Sequence, residues 1–417
     1  MNQKTKKKIV ILGGGFGGLY AYRSLYKHFH KNDIEVTLVN KTNYFLFTPL
    51  LHEVATGGLS DGSVVESIQH FLAKNNDTIH VASVVSVDPK NQTVTTSVET
   101  ISYDVLIVAL GASTQYFGTP GAEEYSVALK DLSDAISIRG KVIEAFQKAS
   151  VLKDKDEKKN ALSFTIVGGG PTGVELGGEL AEFIHETLVD YYNDSLSCED
   201  ISITLINQTP ELLAPFPQVL RTKALEVLQN KKIKVLLGTG VKEVRSDSVV
   251  LSNDEVLKSS MTIWTAGVKP NTEIFKDVLN MNKGGRILVN EYLQSKDYSN
   301  IFAVGDVAFV SIDDHSIPMP MTAQVAVRQG PHVASNIKAF LDGSTMIPFE
   351  YESRGELASL GRYNGLAHIS GLTFSGAPAW FLWRTVYLFK FISHFKKIKV
   401  AFDWTMNLFF SRDITKI

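Results

Sequence analysis

The chain has 417 residues and a net charge of −2, from 42 basic and 44 acidic side chains, so it carries no electrostatic footprint for nucleic acid. Hydrophobic residues make up 44% and charged residues 21%, which is ordinary for a globular protein of two or three domains. The single cysteine, Cys198, excludes an internal disulfide and a redox dithiol, and it fits a reducing compartment.

The basic start, MNQKTKKK, has no apolar signal core behind it. The apolar run that follows is short and turns at once into glycines, so a strand is expected rather than a signal peptide. No run of about twenty apolar residues occurs anywhere, so no membrane-spanning helix is predicted.

Ile9 to Leu12 reads as a buried parallel strand. Gly13, Gly15 and Gly18 then spell G-x-G-x-x-G, with Gly17 inside the motif. Leu19 to Phe29 has helical spacing, and Ile34 to Val39 is the next strand. This order is the context a dinucleotide fingerprint requires. The first glycine permits the tight turn, the second lets a pyrophosphate approach the backbone, and the third lets the helix pack on the strand. Free N–H groups at the helix start suit the anion. Asn40, followed by Lys41, stands where an acidic residue is usual, and an amide still bonds a ribose hydroxyl.

Tyr103 to Gly111, YDVLIVALG, reads as a buried strand running into a small-residue turn at Ala109 and Gly111. The charge run Lys153 to Asn160 reads as a solvated linker. Ser163 to Val167 is again a strand, and Gly168, Gly170 and Gly173 repeat the fingerprint roughly 155 residues after the first. That period is far too long for a solenoid and points to a second dinucleotide domain inserted in the first. One nucleotide is then held permanently while the other comes and goes. Val174 to Leu188 is the predicted helix, and Ile201 to Ile206 the next strand. The strand ends in Asn207, which neither bonds a 2′-hydroxyl strongly nor repels a 2′-phosphate, so the expectation of NADH over NADPH is not supplied by this residue and NADPH is left open.

Only the second fingerprint carries a glutamate, Glu175, two residues past its last glycine. A first-turn glutamate complements the helix dipole, so a structural reading stands beside a functional one. Glu179, four residues on and on the same face, reads as structural. Met261 to Gly267, MTIWTAG, is the counterpart of the Tyr103 strand and ends at Gly267. Ile301 to Val307, IFAVGDV, is a further strand ending in Gly305 and Asp306. The ten histidines show no ligand spacing, so no metal site is expected, and His52 reads as packed or hydrogen-bonded as readily as catalytic.

Pro378 to Lys397 is dominated by apolar and aromatic residues, interrupted by Arg384 and Lys390, and Val400 to Phe410 continues the mixture. The cations argue against spanning. An aromatic-rich segment lying in the lipid interface is expected, with Trp380, Trp383 and Trp404 at headgroup level. A core helix pair and a dimer interface are the alternatives.

The two fingerprints, TPLLHEVATG (Thr48 to Gly57), GVELGGEL (Gly173 to Leu180), AVGD (Ala303 to Asp306), AQVAVRQG (Ala323 to Gly330) and the C-terminal segment together resemble the two-dinucleotide-binding-domain flavoproteins. Within them the chain is similar, over essentially its whole length, to the type II NADH dehydrogenases, single-subunit NADH:quinone oxidoreductases that pump no protons. The resemblance implies an α/β fold of two Rossmann-like domains. FAD would belong to residues 1–115 and 284–373, the nicotinamide to 161–283, with 116–160 connecting them and 374–417 associating with the membrane. Asp306 would lie on the ribitol and pyrophosphate side of FAD. Thr48, Pro49 and Leu50 would lie near the isoalloxazine, Ala109 near the cofactor and Val84 near the adenine. Glu175 would sit near the nicotinamide–flavin–quinone junction and assist proton delivery.

In this family the AQ segment reads A-Q-x-A-x-Q beside the flavin and the quinone. Ala323 and Gln324 match, but Arg328 replaces the second glutamine, with Gln329 next to it. One residue turns a helix by about 100°, so Gln329 is not an automatic substitute. Arg328 either donates to a quinone carbonyl or pairs with a carboxylate away from substrate. The implied partners are a membrane quinone and the lipid surface, with a homodimer left open. The implied location is peripheral, on the cytoplasmic face of the cell membrane. A sulfide:quinone or disulfide reductase would need neighbouring cysteines. A soluble NAD(P)H oxidase or ferredoxin-type reductase would not need the C-terminal aromatic helices, and a flavoprotein sensor would not need an intact second fingerprint.

Overall fold

The first fingerprint strand, Lys7–Leu12, is the middle of a five-stranded parallel sheet in the order Ile301–Ala303, Val105–Val108, Lys7–Leu12, Ile34–Asn40, Thr78–Val81. Ile9 to Leu12 are buried on both faces, which is why the strand is a continuous apolar run. The computed structural model describes residues 6–72, 75, 77–310 and 319–415. Met1 to Thr5 of the basic start, and the last two residues of the C-terminal segment, lie outside the described residues.

The sheet belongs to a unit of residues 1–46, 66–113 and 268–352. Its fingerprint helix, Phe16–His28, lies against the long helix Ala323–Asp342. The two meet at a glycine: a Cβ on Gly330 would stand 2.8 Å from the Ala21 nitrogen and 2.9 Å from the Gly17 carbonyl oxygen. Only glycine allows that backbone approach.

The second unit, residues 47–65, 114–267 and 353–417, repeats the plan. Its parallel sheet runs Ser126–Ala128, Met261–Trp264, Ser163–Val167, Ser202–Ile206, Ile233–Leu236, again with the fingerprint strand in the middle. The strands of YDVLIVALG and MTIWTAG thus hold equivalent places in the two sheets, as their sequences predict. The units differ from boundaries drawn by sequence. Residues 268–283 cluster with the first unit, and 47–65, 116–160 and 353–373 with the second.

Two local expectations are corrected. The charge run after Lys153 is exposed but helical, over Lys155–Ala161, because the Asp154 carboxylate accepts the N–H groups of Asp156 and Glu157 at 2.9 Å and caps the helix. The helix after the second fingerprint begins earlier, at Pro171, and passes at Glu182 into a π-helical turn, Phe183–Leu188. The C-terminal segment is two helices, Ala377–Lys390 and His394–Met406, following an antiparallel three-stranded sheet over Glu356–Gly376. Among the described residues no helix is long and apolar enough to cross a membrane.

Candidate functional site

Both fingerprint turns have one geometry. In the first, Gly13 has φ +106, and an added Cβ would meet the Ala109 carbonyl oxygen at 2.2 Å. A Cβ on Gly18 would meet the Gly13 oxygen at 1.9 Å, and one on Gly17 the Val304 side chain at 2.9 Å. Gly15 alone has nothing within 4 Å. In the second, Gly168 has φ +118 and meets Ala266 at 2.8 Å, Gly173 meets the Gly168 oxygen at 1.9 Å, and Gly170 has open space. The outer glycines are thus demanded by packing. The middle one leaves a backbone concavity at a helix N-terminus, which suits a pyrophosphate.

The strand-end amides are matched too. Asn40 Oδ1 accepts the Gly14 N–H and Asn207 Oδ1 accepts the Gly169 N–H, both at 2.9 Å. Their Nδ2 groups donate onward, to Thr42 in the first unit and to Thr209 and the Glu211 carbonyl in the second. Each asparagine therefore braces its own glycine turn, a use the sequence reading did not include.

Around the first turn the structure gathers Gly13, Gly17, Gly18, Asn40 and Ala109, with Val304 leading into the turn Gly305–Val307 that holds Asp306. The buried side-chain Oε1 of Gln329 accepts the Gly305 N–H at 2.6 Å, so this glutamine fixes the Asp306 turn. Gln324, the second residue of its helix next to Ala323, accepts the Tyr351 hydroxyl at 3.0 Å. Arg328 donates to the Glu352 carbonyl and lies 5.2 Å over the Tyr351 ring. Lys41 is exposed, Val84 is half-buried in a separate antiparallel sheet, and Gly111 makes a left-handed turn in open space. In the second unit Thr48 opens a short 3₁₀ turn, and Gly267, at φ +78, lies under the Phe117 ring.

Glu175 is the fifth residue of the second fingerprint helix, past its first turn rather than in it as the first-turn reading expects, and it is only 7% exposed. Its Oε1 accepts the Ser359 N–H at 3.1 Å and the Trp383 indole N–H at 3.2 Å, and its Oε2 lies 4.0 Å from His52 Nδ1. Burial pushes its carboxyl up to about 8, a rise that the two hydrogen bonds moderate. The carboxyl is therefore mainly protonated at neutral pH. Burial drives His52 down to about 4, so this imidazole is neutral.

The same helix continues the acidic face. Glu175, Glu179 and Glu182 lie at i, i+4 and i+7, and none is more than 7% exposed. The short helix Leu51–Val54 adds His52 and Glu53, and Trp404 donates its indole N–H to Glu53. Arg412, from the C-terminal tail, reaches Glu179 at 2.5 Å and Glu182 at 3.2 Å, while Lys231 pairs with Glu182. Burial raises Glu53 and Glu182 each to about 7. Burial also acts against ionisation of Glu179, but the Arg412 guanidinium outweighs it and holds that carboxyl below its ordinary value. Sequence spacing shows the three glutamates on one face. Nothing in the sequence shows Trp383 and Arg412 as their partners, or Trp404 as the partner of Glu53.

The tryptophans correct an expectation. Trp380, Trp383 and Trp404 are at most 4% exposed, turned inward by packing and, for Trp383 and Trp404, by their indole donors rather than toward a headgroup layer. The exposed aromatics of the C-terminal helices are Phe381, Phe389, Phe395 and Phe402, followed by Phe409 and Phe410.

Comparison with known proteins agrees with this architecture. A family model described as pyridine nucleotide-disulphide oxidoreductase matches residues 7–330, and one described as the NDH2 C-terminal domain matches residues 353–413. A type II NADH:quinone oxidoreductase of Mycobacterium tuberculosis is 31% identical, covering 98% of this chain and 89% of its own. One from Staphylococcus saprophyticus is 31% identical over 92% of this chain and 94% of its own. The solved structure of NDH2 from Plasmodium falciparum in complex with NADH shares the fold at a TM-score of 0.91 and 24% identity, covering 99% of this chain and all of that one. The sulfide:quinone oxidoreductase of Aquifex aeolicus is more distant, at a TM-score of 0.72. With its paired glycine turns, its buried glutamate and these relatives, the chain belongs to the pyridine nucleotide-disulphide oxidoreductases and, within them, to the type II NADH:quinone oxidoreductase family.

Proposed function

We propose that this protein oxidises NADH and reduces a lipid-dissolved quinone through a bound FAD, working at the cytoplasmic surface of a membrane. The observation that carries this reading is the pair of matched glycine turns, each with one glycine facing open space. The first turn fits FAD: Gly15 and the N–H groups at the start of Phe16–His28 would hold the pyrophosphate, and the turn of Asp306, fixed by Gln329, would serve the ribitol side. The second fits the nicotinamide nucleotide at Gly170. FAD, when bound, accepts hydride and passes electrons on singly or in pairs.

The chain's own residues position and protonate. Glu175, protonated at neutral pH, would hold a proton at its carboxyl oxygen for the reducing quinone, with the Ser359 N–H and the Trp383 indole fixing its rotamer. Asn207 carries no charge toward a 2′-phosphate, so NADPH is weakly disfavoured at most. Gln324 is our candidate for contact with the quinone headgroup. Arg328, engaged by Glu352 and Tyr351, would orient the start of that helix. The exposed phenylalanines and the lysines among them suit a lipid interface.

The test is stopped-flow reduction of the purified yellow protein by NADH and by NADPH, followed by a short-chain quinone. Bleaching of the flavin band by NADH and re-oxidation faster by quinone than by air is expected. Re-oxidation by air alone would replace this reading with a soluble oxidase.

A further inference from the structure

The reaction NADH + H⁺ + quinone → NAD⁺ + quinol takes up one proton from water in every turnover. Glu175 is 7% exposed, so a proton reaching it needs a way through the protein. The second unit contains a polar cavity of about 230 Å³ at the C-terminal tail, lined by Glu53, Glu179, Glu182, Arg362, Arg384 and Arg412. We propose that this cavity is the proton port for Glu175, and that Glu179 hands the proton on along the helix. The proposal rests on the reading of Glu175 as the proton donor and names the residues that refill it.

The geometry carries it in three steps. Glu182, Glu179 and Glu175 form one stripe about 10 Å long on one helix face, with the first two at the cavity wall and the last at the fingerprint end. His52 lies beside the upper end: its Nδ1 is 4.0 Å from Glu175, and its buried Nε2 has no hydrogen-bond partner among the described residues. The cavity itself is built rather than incidental. The tail is pinned over it by the Leu408 carbonyl, which accepts Arg362 at 2.8 Å, by Asn407, which donates to the Gly58 carbonyl, and by Arg412 between two glutamates.

The cavity's polar lining and size suit several water molecules. Arg362 Nε and Arg384 Nε are buried without a hydrogen-bond partner among the described residues, which a hydrated cavity would supply. The π-helical turn that follows Glu182 brings Glu186 and Thr187 to the same wall. π-turns of this kind concentrate at functional sites.

The electrostatics point the proton inward. The cavity carboxylates Glu53 and Glu182 exchange protons near neutral pH, at about 7 each. Arg412 keeps Glu179 ionised and therefore open to a proton, and Glu175, at about 8, retains it best. The remaining charged groups at the cluster are Lys231, Arg362, Arg384 and Glu186, and they keep the cavity polar without a large excess of either sign.

The test uses the full chain with its flavin bound, reduced by NADH and mixed with a short-chain quinone across pH. Glu175→Gln and Glu179→Gln are both expected to slow the quinone step at least about tenfold while reduction by NADH stays within about twofold of the parent. A small weak acid such as imidazolium should restore Glu179→Gln and not Glu175→Gln. Infrared difference titration should show carboxylic-acid carbonyl absorption that titrates near neutral pH, and its amplitude should fall in Glu182→Gln while the share of Glu53 and Glu175 remains. A slow Glu175→Gln with a Glu179→Gln at parent rate would overturn the port alone. Both at parent rate would overturn the role of Glu175 as well. If Glu179→Gln fails to fold with Arg412 left to Glu182 alone, Glu182→Gln carries the test: an unchanged quinone step at every pH and an unchanged infrared titration would overturn the proposal.

Discussion

The indole nitrogen of Trp383 donates to Glu175 Oε1 over 3.2 Å, joining residues 208 apart in sequence. Trp383 is fully buried and its ring lies 4.8 Å from Tyr387 and 5.9 Å from both His52 and Trp404. Trp383→Phe should destabilise the protein by about 1–3 kcal/mol, through a lost buried donor and lost packing. Loss of that donor to the ionised carboxyl should also raise the Glu175 titration further. Urea unfolding checks the first outcome and the pH dependence of the quinone step the second; a parent-like value for both would show the contact to be idle.

Glu175 gives a signed dependence of stability on pH. Its carboxyl rises from 4.5 unfolded to about 8 folded, so the folded chain keeps a proton that the unfolded chain releases. That contribution is complete below 4.5 and is lost as pH rises through about 8. His52 acts oppositely: its contribution is present above 6.5 and is lost as pH falls toward about 4. Glu175→Gln removes only the first. The melting temperature of the variant relative to the parent should therefore climb from pH 4.5 to about 8 and level off above that, and a flat difference would contradict the buried, protonated carboxyl.

The two kinds of fingerprint glycine should separate experimentally. Gly170 has φ −75 and no neighbour within 4 Å, so Gly170→Ala should fold like the parent and weaken NADH binding by at least about tenfold. A Cβ on Gly173 would stand 1.9 Å from the Gly168 oxygen, so Gly173→Ala should cost about 2–3 kcal/mol of stability. Thermal unfolding and nucleotide titration distinguish them; equal stability losses would mean that the middle glycine is also a packing residue.

The C-terminal helices present Phe389, Phe395 and Phe402 at 71%, 69% and 62% exposure. Replacing all three with serine should leave the urea midpoint unchanged and reduce sedimentation with anionic vesicles about tenfold or more. Trp380→Ser should do the reverse, unfolding the unit through its core. Undiminished vesicle binding by the triple variant would move the lipid contact to another surface.

Much of the fold is written locally. The strand–glycine–helix–strand order is legible twice because spacing alone encodes a tight turn and a close helix packing, and the central place of both fingerprint strands follows. The positions of Glu175 and Glu179 on one face are equally legible, because a helix repeats its faces every three or four residues. The helix after Lys153 is not legible in the charge run, because charge density reports solvent exposure, not conformation, and the Asp154 cap decides the helix. The C-terminal tryptophans were misplaced for a related reason: those helices are apolar on several faces, so periodicity does not say which face turns inward.

What the amino-acid sequence determined by itself is therefore the two nucleotide turns, their order and the glutamate behind the second. Tertiary structure decided what that glutamate is. Its protonation depends on burial and on partners from Ser359, Trp383 and, through Glu179, Arg412, none of them within 170 residues of it in the chain. Desolvation and pairing are properties of assembled surroundings, and no local spacing carries them.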